Sequence, residues 1–287
     1  MKVSILGACS GLGQKNSGLE FAPDIFRKNG FLDLCKNLNL AHFDYGNITP
    51  ASKNQDALWP FLKELYTRSY EILDEDHLLF QIGGDHSIAI ATISATLDRF
   101  PDAKIVWIDA HGDMNTPDSS LSGNLHGMPL AALLGLFKNP IVNQKLKKEN
   151  LTLIGVRDLD EYEKHLIQSE KINVITSEEI ENNPEQTLIE LKNWLGADSK
   201  IHLSFDFDSL DPTIAPATGL RVPGGLSLEF LKNTFKLLKE PHKIISVDFV
   251  EFNPNMADNS QEASVSLQSA LFVANEILTT RKNCDEK

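Results

Sequence analysis

This sequence predicts an α/β fold: a single domain built on a mostly parallel central sheet of about eight strands, with helices on both faces. Three observations carry that expectation. Apolar, strand-like runs alternate with helix-patterned stretches along the whole chain, the arrangement that parallel strands joined by crossover helices require. With 287 residues, 41% of them hydrophobic, the chain can bury a substantial core. No Pro/Ser-rich boundary, internal repeat or low-complexity tract divides residues 1–287, so one domain is expected over the full length.

Taken in order, the first strand falls near 2–6, where Met1-Lys2-Val3-Ser4-Ile5-Leu6 runs straight into apolar sequence with no long hydrophobic leader. Gly7-Ala8-Cys9-Ser10-Gly11-Leu12-Gly13 follows it. A nucleotide-binding turn is one reading of these glycines. A dehydrogenase of that kind would also want Tyr-x-x-x-Lys, and none of the four tyrosines has Lys four residues on, so a flexible strand-end turn near the site is the better expectation. A helix near 22–29 and a strand near 38–43 come next. In the helix expected over 54–74, Leu58, Leu62, Leu65, Tyr66 and Leu73 form an apolar stripe at helical spacing, with Pro60 in its first turns. Further strands are expected near 78–82, 104–109, 151–155, 171–175, 200–205 and 244–249. The remaining helices are expected near 87–99, 127–137, 159–169, 184–195, 227–239 and 260–280. Segments 110–126 and 206–226 are the longest without periodicity. Each begins at a strand end, where an open α/β sheet carries its ligands.

Composition narrows the chemistry. A formal net charge of -13 argues against nucleic acid or an anionic membrane as partner and mildly favours a cationic ligand. No 18 apolar residues run together, so a soluble cytoplasmic protein is expected. Cys9, Cys35 and Cys284 are too few and scattered for a disulfide framework, contain no CxxC pair, and are read as packing residues.

The chemistry-bearing residues gather at three strand ends. In Asp109-Ala110-His111-Gly112-Asp113, three potential ligands alternate after the apolar run Lys104 to Ile108, and on an extended chain side chains two apart share a face. Asp206 and Asp208 repeat the spacing after Leu203-Ser204-Phe205, and His86 follows the run Leu78 to Ile82. Like charges about 4 Å apart repel by ~4 kcal/mol at an effective dielectric of about 20. Four aspartates brought together therefore need cations or protons, and two divalent ions would neutralise them. Carboxylate and imidazole ligands without thiolate suit Mn(II), with Co(II), Ni(II), Fe(II) or Zn(II) as alternatives. Paired ions lower the pKa of a shared water and make hydrolysis the natural chemistry. A phosphatase, an amide hydrolase and a guanidine hydrolase all stay open on these residues alone.

Five motifs in order then carry a resemblance: GGDHS (83–87), DAHGDMN (109–115), SGNLHG (122–127), SFDFDSLDP (204–212) and VEFNP (250–254). Together they resemble the ureohydrolase family and, within it, the arginases, over nearly the whole chain. Gly18-Leu19-Glu20, Pro23 and Arg27-Lys28-Asn29-Gly30 resemble that family's first loop and helix. The resemblance implies an arginase-like fold and two Mn(II) ions bridged by Asp109 and Asp206. His86 and Asp113 would complete one ion's shell, and His111 and Asp208 the other's. It implies hydrolysis of L-arginine to L-ornithine and urea by a metal-bridging hydroxide that Asp113 hydrogen-bonds. His126 would shuttle protons and Glu251 would pair with the guanidinium. Asn115, Ser120, Ser122 and Asn124 match positions that read the substrate carboxylate, and Asp160 and Glu163 the pair that reads its ammonium. A homo-oligomer, trimer or hexamer, is implied in the same way. Agmatinases lack the SGNLHG loop and formimidoylglutamases usually depart from GGDHS, whereas this chain keeps both. Two departures stand out: Leu220 where arginases commonly carry Thr after Ala-Thr-Gly, and Ser120 where Thr is usual. Two rival readings are another guanidine hydrolase, acting on agmatine or guanidinobutyrate, and a metal-stabilised binding protein without turnover.

Overall fold

A computed structural model describes residues 2–239 and 241–282. Eight strands form one sheet: β1 (Lys2–Ala8), β2 (Ala41–Ile48), β3 (His77–Ile82), β4 (Lys104–Ile108), β5 (Leu151–Val156), β6 (Asn173–Thr176), β7 (Lys200–Asp206) and β8 (Lys243–Val250). Their order across the sheet is β2-β1-β3-β8-β7-β4-β5-β6. Every pairing is parallel, beyond the mostly parallel sheet expected. Parallel strands need a crossover between them, and helices laid over both faces make the central strands buried on each side. Leu78 to Ile82 and Ile105 to Ile108 are accordingly buried throughout.

Ten helices of α type are described: α1 (Ala22–Lys28), α2 (Phe31–Asn37), α3 (Leu58–Ile72), α4 (Ala89–Arg99), α5 (Pro129–Leu134), α6 (Glu161–Glu170), α7 (Ser177–Asn182), α8 (Pro184–Leu195), α9 (Leu228–Leu237) and α10 (Ser260–Lys282). In α3 the expected stripe turns inward, with Leu58, Leu62 and Leu65 buried beside Phe61 and Ile72, and Pro60 sits in the first turn where its missing N–H costs nothing. Two short helices, α2 and α7, go beyond the sequence expectation. Helix α2 also displaces the second strand, which lies at Ala41–Ile48 rather than near 38–43. That strand is a largely exposed sheet edge, so burial leaves little hydrophobic imprint on it. Below the sheet, Phe26 meets Phe249 and Phe252 edge-on with ring centres 4.9 Å and 5.3 Å apart. Fully burying such side chains contributes about 1.5–3 kcal/mol each. Cys9 and Cys35 are buried packing residues, as expected; Cys284 lies outside the described residues.

The strand order decides where the site forms. Strands β3, β8, β7 and β4 are four consecutive neighbours at the centre of the sheet, and their carboxyl ends lead into His86, Glu251, Asp206 and Asp109 in that order.

Candidate metal centre and substrate cleft

At the end of β4, alternation does what the spacing predicts. Trp107 donates its indole N–H to Asp109 Oδ2 at 2.9 Å, and Asp109 Oδ1 accepts the His111 backbone N–H at 2.7 Å. The chain then turns back at Asp113, whose φ of 49° is left-handed and unusual for a non-glycine residue. Packing leaves the preceding residue little choice, because a Cβ on Gly112 would lie 2.7 Å from Leu159 Cδ2 and 2.8 Å from Glu163 Oε1. At the end of β7, Asp206 Oδ1 caps the turn by accepting the Asp208 N–H at 2.8 Å. Beyond β8, Glu251 also has a left-handed φ, 60°, and its N–H donates to Gly84 O at 3.0 Å.

These turns bring the six expected ligands together. His86 Nδ1 lies 3.0 Å from Asp206 Oδ2, 3.1 Å from Asp109 Oδ2 and 3.3 Å from Asp113 Oδ2. His111 Nδ1 lies 3.2 Å from Asp208 Oδ2 and 3.4 Å from Asp109 Oδ1. Two ligand groups result, His86 with Asp109 and Asp206, and His111 with Asp109 and Asp208, the donor atoms within each lying inside 4.8 Å of one another. Asp109 belongs to both.

The residues fit metal ions on a test of their own geometry. His86 is fully buried, its Nε2 stands 2.8 Å from Ser204 Oγ, and its ring stacks on Trp107 at 4.0 Å. Its Nδ1 has three carboxylates around it and yet no properly directed hydrogen bond. A ring nitrogen held by its opposite N–H, with its lone pair turned into a carboxylate cluster, is how a metal-ligating histidine is presented. Charge balance points the same way. Burial alone would lower the His86 pKa, but Asp109, Asp113 and Asp206 hold it well above the ordinary value. Burial raises the carboxyl pKa of Asp206, helped by Asp208 and Asp109, and burial with Asp109 pushes Asp113 up to about 6. A cluster that draws in protons at His86, Asp206 and Asp113 is short of positive charge, which a bound cation would supply.

Beside the cluster opens a cleft of about 230 Å³, lined by His111, Asp113, Asp206, Asp208, His126 and Glu251. Asn115, Ser122, Asp160, Glu163 and Leu220 line it as well. His126 Nδ1 is 3.3 Å from Glu251 Oε1. Burial opposes charge on this imidazole, but Glu251 raises its pKa to about 9. Across the cleft, Asp160 and Glu163 form a capping box at the start of α6. Glu163 is buried, accepts the Met114 N–H at 3.0 Å, and burial pushes its pKa up to about 7.

The sequence comparison decides the family: residues 1–275 match the Arginase family. The chain belongs to the arginase family. Among its relatives, the arginase of Staphylococcus aureus (strain COL) is 36% identical over 94% of this chain and 96% of its own length. The crystal structure of arginase from Bacillus subtilis superposes with a TM-score of 0.88 at 32% identity, covering 96% of this chain and 98% of that one. The Entamoeba histolytica arginase, solved in complex with L-ornithine, gives 0.87 at 31% identity over 96% and 97%. The sheet and its helices are thus those of the arginase family.

Within that family frame, two of the expected substrate residues stand apart from the cleft wall. Ser120 Oγ accepts the Gly123 N–H at 3.0 Å, and the Asn124 N–H donates to Ser122 Oγ at 3.2 Å, so both sit within the turn of the 115–126 loop. Asn115 lines the cleft but directs its amide to Asp160 Oδ2 at 2.7 Å. Sequence reasoning gave no role to several supporting residues. Trp107 and Ser204 each lie two residues before a ligand aspartate, and that spacing was the available signal. Arg157 is another: its guanidinium donates to Asp208 O at 2.8 Å, Ser209 O at 3.1 Å and Val222 O at 2.8 Å, bracing the loop that carries Asp208. The glycine turn after β1 lies near the site, as expected, where Gly13 N–H donates to buried Asp85 Oδ2 at 2.9 Å and Gly13 O accepts from His126 N.

Proposed function

We propose that the cluster holds two Mn(II) ions and that this chain hydrolyses L-arginine to L-ornithine and urea. One observation carries the reading: two ligand groups sharing Asp109 adjoin a cleft whose wall also holds Glu251, Asp160 and Glu163, carboxylates beyond those two groups. A substrate with two positive charges suits that wall. A pair of divalent ions supplies a water acidic enough to ionise near neutral pH.

The remaining roles belong to the protein. Glu251 takes the guanidinium through charge-assisted hydrogen bonding. Asp113, on the cleft wall beside His86, accepts a hydrogen bond from the attacking water and so aims it. His126 holds a proton at Nδ1 against Glu251, and as Glu251 turns its charge to the guanidinium that hold weakens, freeing the proton for the departing amine. Asp160 and Glu163 receive the α-ammonium, and Asn115 and Ser122, on the cleft wall, meet the α-carboxylate from the loop that Ser120 and Asn124 help to shape. Retention of His126 and Glu251 speaks against a binding protein without turnover, which needs no proton shuttle. A homo-oligomer, trimer or hexamer, in the cytoplasm belongs to the same proposal; no described helix is long and apolar enough to cross a membrane.

Urea release from arginine, agmatine and guanidinobutyrate, each with Mn(II), Co(II) and Ni(II), tests the reading. Agmatine leaves the carboxylate-reading loop without its partner, and guanidinobutyrate leaves Asp160 and Glu163 without theirs. Hydrogen bonds to charged groups contribute about 1.5–3 kcal/mol each, so losing them is expected to make both analogues poorer by about tenfold or more. Agmatine turned over faster than arginine overturns the assignment.

A further inference from the structure

Gln14, at the end of the glycine turn, reaches the carboxylate that the proposed reaction depends on. Its Nε2 lies 2.8 Å from Glu251 Oε2 and 3.1 Å from Oε1, so a single amide nitrogen donates to both oxygens. Oε1 also accepts the His86 N–H at 3.0 Å and faces His126. Two spaces meet at this contact. Glu251 lines the cleft beside the ligand cluster, whereas Gln14 is absent from that wall and lines a separate cavity of about 540 Å³, together with Cys9, Asn16, Glu20 and Lys53. The amide therefore reaches Glu251 from the side of that second cavity. An ionised carboxylate offers about four acceptor sites. Gln14 takes one on each oxygen, and among the described residues Oε2 has no other hydrogen-bond donor, which leaves its remaining lone pair for a donor in the cleft.

We propose that Gln14 is a positioning residue for guanidinium recognition. It fixes the plane and direction of the Glu251 carboxylate before substrate arrives, an inference that rests on the arginine-hydrolysing reading. Without the grip, Glu251 keeps His86 N and His126 on Oε1 only and its second oxygen is free to rotate. A guanidinium then meets a carboxylate it must first order, and misplacement on the scale of 1 Å costs up to about a hundredfold in rate.

The test compares the parent with Gln14→Met, which keeps the length and removes the donor. Gln14→Asn, which keeps an amide one bond too short to span the gap, stands in should the Met variant not fold. Urea release by the parent is read first: if it releases none from arginine, the functional reading fails and the role of Gln14 falls with it. With an active parent, kcat/KM for arginine is expected to drop by about ten- to a hundredfold, while inhibition by ornithine, which has no guanidinium, stays within about twofold. Calorimetry on chelator-stripped protein, where turnover is blocked, is expected to show arginine binding weakened and ornithine binding unchanged. An unaltered kcat/KM overturns the proposal on its own and leaves the functional reading standing. Equal weakening of arginine and ornithine overturns it too, because that marks a general structural contact.

Discussion

At the scale of single residues, Leu220 stands where the sequence resemblance leads to the expectation of threonine. It lines the cleft and is 47% exposed, so it is not a packing residue whose replacement would open a void. A threonine hydroxyl in its place could hydrogen-bond the guanidinium or the tetrahedral species derived from it, and leucine cannot. A net hydrogen bond contributes roughly 0.5–1.5 kcal/mol, or about two- to twelvefold in rate if it is made only in the transition state. Leu220→Thr is therefore expected to raise kcat/KM for arginine by that factor with an unchanged melting temperature. Steady-state kinetics and a thermal melt on the one variant decide it; a lower melt with no kinetic gain means the leucine is structural.

At the scale of elements, the start of α6 is both a helix cap and part of the cleft. Asp160 accepts the Glu163 N–H at 2.9 Å while Glu163 accepts the Asp160 N–H at 3.2 Å. The same Glu163 accepts the Met114 N–H and so ties α6 to the turn that carries Asp113. Burial, with a smaller push from Asp113, raises its pKa from an ordinary 4.5 to about 7. A carboxyl group that holds its proton more tightly when folded favours the folded state below pH 4.5, and that advantage is lost as pH rises toward about 7. In the metal-free protein, Glu163→Gln is expected to flatten the fall in unfolding free energy across that window, by at most about 3 kcal/mol. Denaturant unfolding at pH 4.5 and pH 7.5 measures it. An undiminished fall in the variant would show that Glu163 ionises freely.

At the scale of the whole molecule, four neighbouring strands end in one buried acidic cluster, and the fold carries that repulsion wherever cations are missing. Anything that binds only the folded state at a hundred times its Kd stabilises by about 2.7 kcal/mol. For a chain of this size that corresponds to roughly 5–10 °C in melting temperature. Chelation is expected to lower the melt by about that much, and Mn(II) to restore it. A melting temperature indifferent to chelator would remove the metal centre from this place in the fold.

Much of this was legible in the sequence because burial and chemistry write local patterns. The six inner strands read as near-continuous apolar runs because they are covered on both faces, and the ligand pairs read as Asp-x-His-x-Asp and Asp-x-Asp because alternate side chains at a strand end share a direction. Helix α7 was legible in principle, since Thr176 and Glu179 form a capping box across its start. The exposed edge strand β2 and the short α2 before it leave no comparable imprint, and both were misjudged together. By itself the sequence determined the fold class, the six candidate ligand positions and the family, since each rests on residues close together in the chain. Only the tertiary structure decided that β3, β8, β7 and β4 lie side by side, that Asp109 serves both ligand groups, and that Gln14 holds Glu251 across 237 residues of chain. These contacts depend on strand order and crossover, which pair residues far apart in sequence and leave no periodic trace in either partner.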